Sequence, residues 1–276
     1  MHRGRSPAIL VAKLMGWSLS QADTYVANQG NTPDDFARAV SALKQETPKE
    51  KPQERPRFTR VPDNFRVFDG RYPNSEDRFR HYLHLRGFRE EVNLMIAYYR
   101  LRYCITGEYR NRLVIPVFYG PNLMTWTARA IVRAEVRYKS LEDSKSAKNI
   151  KDCLLIHNRG EPSSKDTLAL VEGPLDAMKL GFYGRHFGIN AACIFGKTLS
   201  EEQRLQIISL SRKYRKIWVI LDEDARLDCG ILVSELNEIT RNKTKAIDLA
   251  KYEVKDPADL TIRQVEHLAK VLSEEE

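Results

Sequence analysis

Three carboxylates have the types and spacing to do chemistry. Glu172 lies in Leu170-Val171-Glu172-Gly173-Pro174-Leu175-Asp176, and Asp222 and Asp224 close the run Ile217-Trp218-Val219-Ile220-Leu221-Asp222-Glu223-Asp224. Each follows an apolar, strand-like stretch, so if the two strands are neighbours in a parallel sheet the acids converge at its carboxyl edge. Convergent carboxylates repel unless a cation lies among them. Hard oxygen ligands select magnesium or manganese, ions that serve chemistry at phosphates. Gly173 permits a tight strand-to-helix turn, and Asp176 falls in the first helical turn, where a carboxylate also favours the positive end of the helix dipole. Each string alone has a structural reading, Asp176 as a helix-start residue and the Asp-x-Asp as caps after a buried strand. Their combination in one module is what points to chemistry.

The elements that must position these acids follow from periodicity. Leu168 to Val171, Ala191 to Phe195 and Ile217 to Leu221 read as strands. Helices over Pro174 to Leu180, Ser200 to Ser211 and about Asp228 to Ile239 alternate with them, and Ser200 with Gln203 makes a capping box. Such alternation predicts an α/β fold with a parallel sheet flanked by helices over 166–260, followed by a C-terminal helix and acidic tail over 261–276. Upstream, 63–165 reads as a basic, mixed α+β subdomain. It contains a helix capped by Ser75 and stopping at Gly87, a second helical stretch at 91–99, and strands Arg112 to Phe118 and Leu123 to Ile131 joined through Tyr119-Gly120-Pro121-Asn122. Residues 46–62, with Pro48, Pro52, Pro56 and Pro62 among charges, read as a linker, and 1–45 as a short helical N-terminal segment.

At 276 residues and 42% apolar composition the chain accommodates one large or two ordinary domains. Residues 1 to 140 hold 24 Lys and Arg against 14 Asp and Glu, and the remainder 21 against 23, so the net charge of +8 divides into +10 in front and −2 behind. A basic front beside an acidic back suits a protein that grips a polyanion with one part and a cation with the other; a solubilising surface is the alternative. Cys104, Cys153, Cys193 and Cys229 form no CxxC pair, which signals neither a zinc site nor a disulfide framework. No run of about 18 apolar residues and no signal-peptide pattern occurs, which places the chain in the cytoplasm, or the host cytoplasm if it is viral.

An Glu-Gly-x-x-Asp string and an Asp-x-Asp string about 46 residues apart, each at a strand end, resemble the Toprim domain shared by topoisomerases, primases and some nucleases. Further strings resemble the bacterial and phage primase branch: Arg112-Leu113-Val114-Ile115-Pro116-Val117, then Thr127-Ala128-Arg129, and finally Lys255-Asp256-Pro257-Ala258-Asp259. The resemblance covers roughly residues 75 to 260. It implies that Glu172, Asp222 and Asp224 ligate Mg2+ or Mn2+ and carry catalysis, with Asp176 and Asp256 supporting the acidic cluster. It further implies that Arg112, Arg129 and Lys139 contact nucleotide or template. On the residues alone, Asp256 is also a turn residue before Pro257, Arg112 and Arg129 are also solvated strand-end charges, and Arg137 competes with Lys139.

The chain departs from the family pattern in places. Glu223 stands where the family has glycine between the aspartates, the glycine that follows returns only at Gly230, and Lys197 occupies a Gly-Thr turn. Phe195-Gly196-Lys197-Thr198 is no phosphate-binding loop, because Ala191 stands where its first glycine would be, so the helicase half of fused primase-helicases is not expected here. The N-terminal zinc-binding module is likewise absent; residues 8 to 28 resemble the helical stretch that follows it. The resemblance therefore implies a nucleotidyltransferase of replication that makes short RNA primers on single-stranded DNA from ribonucleoside triphosphates. A replicative helicase and a separate zinc-binding protein are the implied partners, and a phage or mobile element is a plausible source. The alternatives are a Toprim nuclease or nucleic-acid-processing enzyme, and a non-catalytic DNA-binding subunit that recruits a helicase through 1–45.

Overall fold

The computed structural model describes residues 18, 20, 21, 24, 56, 58–88, 91–157, 167–241, 243–254 and 256–274. The chain divides into two units, Met1–Gln53 and Glu54–Glu276. In the first, Ser18 and Gln21 exchange backbone-to-side-chain hydrogen bonds at 3.0 and 3.3 Å, the reciprocal pattern that starts a helix, and the Thr24 hydroxyl donates to the Ser20 carbonyl at 2.9 Å. Most of the helices expected over 1–45, most of the linker expected over 46–62, and Lys255 lie outside the described residues. The described end of that linker packs onto the fold: Thr59 is buried, its amide donates to the Leu123 carbonyl at 3.1 Å and its hydroxyl accepts from the Ala147 amide at 2.9 Å.

Two five-stranded sheets build the second unit. The first is an antiparallel meander in the order β1 (Arg66–Val67), β2 (Arg102–Cys104), β3 (Arg112–Tyr119), β4 (Asn122–Ala130), β5 (Tyr138–Ser140). Helices α1 (Pro73–Leu85) and α2 (Val92–Tyr98) are inserted between β1 and β2. The second sheet has the order β10-β9-β7-β8-β6, from β6 (Leu155–Ile156), β7 (Thr167–Val171), β8 (Ile189–Cys193), β9 (Lys216–Ile220) and β10 (Thr244–Ala246). Its helices are α3 (Pro174–Gly184), α4 (Glu201–Ser211), α5 (Arg226–Thr240) and α6 (Ile262–Glu274).

The predicted α/β architecture is present, with corrections in detail. Strands β10, β9, β7 and β8 run parallel, but β6 pairs antiparallel with β8, so the sheet is mixed. Helix α1 starts at Pro73, whose missing amide hydrogen costs nothing in the first turn, with Tyr72 rather than Ser75 at the cap. It stops at Leu85, and Gly87 closes it: its φ of 75°, its amide bond to His84 and that of Phe88 to Leu83 form a Schellman turn. Pro116 is tolerated inside β3 because its paired residue, Trp126, turns its carbonyl to Leu141 on the β5 side. Pro116 therefore directs its nitrogen toward β2, which begins only at Arg102, opposite Val114.

Alternation along the strands divides the core. From β7 and β9, Ala169, Val171, Trp218 and Ile220 join a large cluster with Phe182 of α3 and Leu268 of α6. The same cluster takes in Leu113, Ile115 and Val117 of β3 and Phe79 of α1, so one core spans both sheets. Leu168, Leu170, Ile217 and Val219 face the other way, onto Ile207 of α4 and Leu232 and Leu236 of α5. The outer face of the first sheet buries Trp126 against Phe65 and Tyr109 at edge-to-face angles of 78° and 80°. All four cysteines are buried, and none forms a disulfide. Among the described residues no helix is long and apolar enough to cross a membrane.

Candidate active site

Strand β7 lies between β8 and β9, and Val171 is level with both Cys193 and Ile220. Glu172 and Asp222 therefore leave adjacent strands at the same sheet edge, with strand spacing of about 5 Å. Helix α3 begins immediately after Glu172: Gly173 is its N-cap, and the Gly173 amide donates to Asp176 Oδ2 at 2.9 Å. A Cβ at residue 173 would approach that oxygen to 2.6 Å, so a larger residue would have to displace the Asp176 carboxylate. Asp222 opens a 3-10 turn, Glu223–Ala225, that leads into α5. Glu223 is exposed at its rim. Asp256 caps a second 3-10 turn, Pro257–Asp259, by accepting from the Asp259 amide at 3.0 Å.

Electrostatics ties these acids together. Asp222 is pushed up to about 6, first by burial and then by Glu172, Asp256 and Asp224. Asp176 is driven well above the usual carboxylate range by burial and by Asp256 and Asp222. Burial also raises Glu172, with Asp224 adding to the effect and Lys197 opposing it. Glu172 Oε2 and Asp222 Oδ1 are buried without any hydrogen-bond partner. Two orphaned carboxylate oxygens at one sheet edge fit a hard divalent cation, which would supply the charge that each lacks.

The remaining expected ligands have other partners. Asp224, 80% exposed, pairs with Lys197 at 3.3 Å; Asp176 holds the Gly173 amide; Asp256 lies 3.5 Å from Arg86, which also reaches Asp259 at 3.4 Å. Accordingly, among the described residues no three His, Cys, Asp or Glu side chains are gathered closely enough to hold a metal. The acidic edge is a pair with three satellites.

Facing it across a cleft of about 330 Å³ are Thr127, Tyr138 and Ser140 of β4 and β5, with Lys151 and Phe195 beside Glu172 and Gly173. Arg129 is brought to this wall: it is buried, donates to the Tyr82 hydroxyl at 2.9 Å, and lies 4.8 Å from the Tyr138 ring. Arg112 is not free to bind phosphate. Its guanidinium donates to the carbonyls of Ala128, Val136 and Arg137, pinning the 131–137 connection to the sheet. Lys139, next to Tyr138 on β5, takes the opposite face, where it pairs with Glu108 at 2.7 Å and covers Tyr109. Tyr138 and Lys151 are the cleft residues that sequence reasoning missed. Strand parity was the available signal for Tyr138; Lys151, in a 3-10 turn, had none.

No protein-family model matches the sequence, and no curated protein does. Solved structures do match. A DnaG primase catalytic domain bound to single-stranded DNA superposes with a TM-score of 0.54 at 17% identity, over 71% of each chain. The zinc-binding and RNA polymerase domains of Aquifex aeolicus primase give 0.53 at 14% identity, over 98% of this chain and 71% of that one. The primase fragment of the bacteriophage T7 primase-helicase gives 0.50 at 13% identity, over 84% of each. The chain has the fold of a bacterial and phage primase catalytic core.

Proposed function

We propose that the chain is a nucleotidyltransferase that makes short RNA primers on single-stranded DNA. The observation that carries this reading is the pair of buried, unpartnered oxygens on Glu172 and Asp222, at the strand edge of a primase-type fold. In the reaction a nucleotide hydroxyl attacks the α-phosphorus of an incoming ribonucleoside triphosphate, the bond to the β-phosphate breaks, and pyrophosphate leaves. Mg2+ or Mn2+, held by Glu172 and Asp222 with Asp224 as third ligand, would offset phosphate charge and help lower the proton affinity of the attacking hydroxyl. Asp176 and Asp256 act behind these ligands, Asp176 by fixing the Gly173 turn and Asp256 by shaping the turn it caps.

Arg129 and Lys151 supply positive charge to the cleft and steady the phosphates, while Tyr138 forms its wall. Arg112 acts through the 131–137 connection that it anchors. Lys139 lies on the outer face of β5, where its contact is with template strand rather than with the triphosphate. A replicative helicase is the partner this activity calls for.

Incubation with single-stranded DNA, Mg2+ and labelled ribonucleotides, resolved on a denaturing gel, tests the reading. Labelled oligomers are expected from the wild type and none from Asp222→Asn, with unchanged circular dichroism. Cleavage of the DNA without oligomers would replace synthesis by nuclease chemistry at the same edge, and neither product would leave a binding subunit.

A further inference from the structure

Lys197 stands beside the acidic edge, and its position gives it a role. It follows β8 in Phe195-Gly196-Lys197-Thr198. Phe195 has a left-handed φ of 57°, an unfavourable state for an aromatic residue, and the surroundings enforce it: its amide donates to Cys193 Sγ at 3.2 Å and its carbonyl takes the Lys151 ammonium. The anchored turn sends the Lys197 ammonium to 3.3 Å from Asp224 Oδ1. Its field also reaches Glu172 and Asp222.

We propose that Lys197 holds Asp224 out of the metal-binding set in the free protein, so that the acidic edge binds a divalent cation weakly until the ammonium is drawn away. The inference rests on the reading of Glu172 and Asp222 as the residues that hold the metal. It explains why the third carboxylate expected at this edge is turned to the rim. The pair is solvent-exposed, 36% for Lys197 and 80% for Asp224, so it is readily exchanged, and a polyanion such as a triphosphate competes for the ammonium. Lys197 is thus a positioning residue, acting on metal through Asp224.

Manganese binding followed by electron paramagnetic resonance, without nucleotide, tests this directly. Lys197→Met is expected to bind Mn2+ about 3- to 10-fold more tightly than the wild type, the size of effect that one unit charge within several ångströms exerts on a divalent ion in a hydrated site. Lys197→Arg, which keeps the charge, should stay near wild type. In the double variant Lys197→Met/Asp224→Asn most of the gain should vanish, leaving only the direct effect of the lost Lys197 charge on Glu172 and Asp222, whereas Asp224→Asn alone should not tighten binding. Equal affinity of Lys197→Met and wild type, or a gain undiminished by the loss of the Asp224 charge, overturns the proposal. Asp222→Asn separates the two readings: it should lose Mn2+, and if it binds as the wild type does, the placement of the metal fails and this inference fails with it.

Discussion

A methyl group added at Gly173 would stand 2.6 Å from Asp176 Oδ2, and the carboxylate could yield only by giving up the amide it accepts. Gly173→Ala is expected to cost about 1–3 kcal/mol, the usual range for overpacking, in urea unfolding at neutral pH. The double variant Gly173→Ala/Asp176→Ala removes the clash, so the two losses should be strongly non-additive. Asp222 offers a second test at this scale. Burial and the neighbouring carboxylates push its carboxyl up to about 6, above the 3.8 of a free aspartate, so between these values the folded state binds a proton that the unfolded chain has released. Stability of the metal-free protein from this group is therefore fully present below about pH 4 and is lost as pH rises through 6. Thermal melts from pH 4 to 7.5 should show this decline, Asp222→Asn should flatten it, and millimolar Mg2+ should restore the wild type at the upper end. A wild type and Asp222→Asn with parallel profiles would refute it.

At the scale of elements, Gln203 joins three pieces. It completes the capping box with Ser200, and its side-chain amide donates to the carbonyls of Cys153 and Ile194, both at 2.8 Å and fully buried. Gln203→Ala removes both of these buried hydrogen bonds and is expected to cost roughly 2–4 kcal/mol in equilibrium unfolding; Gln203→Glu, unable to donate, should do little better. Half of this arrangement was legible in the sequence, because a capping box is a local signal four residues long; the two distant carbonyls were not. The same division holds elsewhere. The β3–β4 hairpin, the helices after β7 and β8, and the strand-end acids are written in short-range periodicity. Strands β6 and β10, two and three residues long, exist only through partners far along the chain. Lys139 shows the penalty of a one-residue ambiguity in a strand, where neighbouring side chains take opposite faces. Arg112 shows another limit: its carbonyl partners are assembled by folding, and nothing local to residue 112 announces them.

For the whole molecule, the excess of Lys and Arg in residues 1 to 140 sets a physical expectation independent of any chemistry. Single-stranded DNA should bind in fluorescence anisotropy with log affinity falling linearly against log salt, at about −0.7 per phosphate neutralised. Asp222→Asn, which does not touch the basic half, should keep that slope; a salt-independent affinity would argue against an electrostatic grip.

The core that runs from Phe79 and Leu113 through Ala169 to Leu268 also determines how the structure comes apart. Neither sheet can leave without exposing the apolar face of the other, so separately expressed halves would each lack the surface that solubilises them. Residues 58 to 274 should melt in one cooperative transition, with tryptophan signals from Trp126 in the first sheet and Trp218 in the second disappearing together.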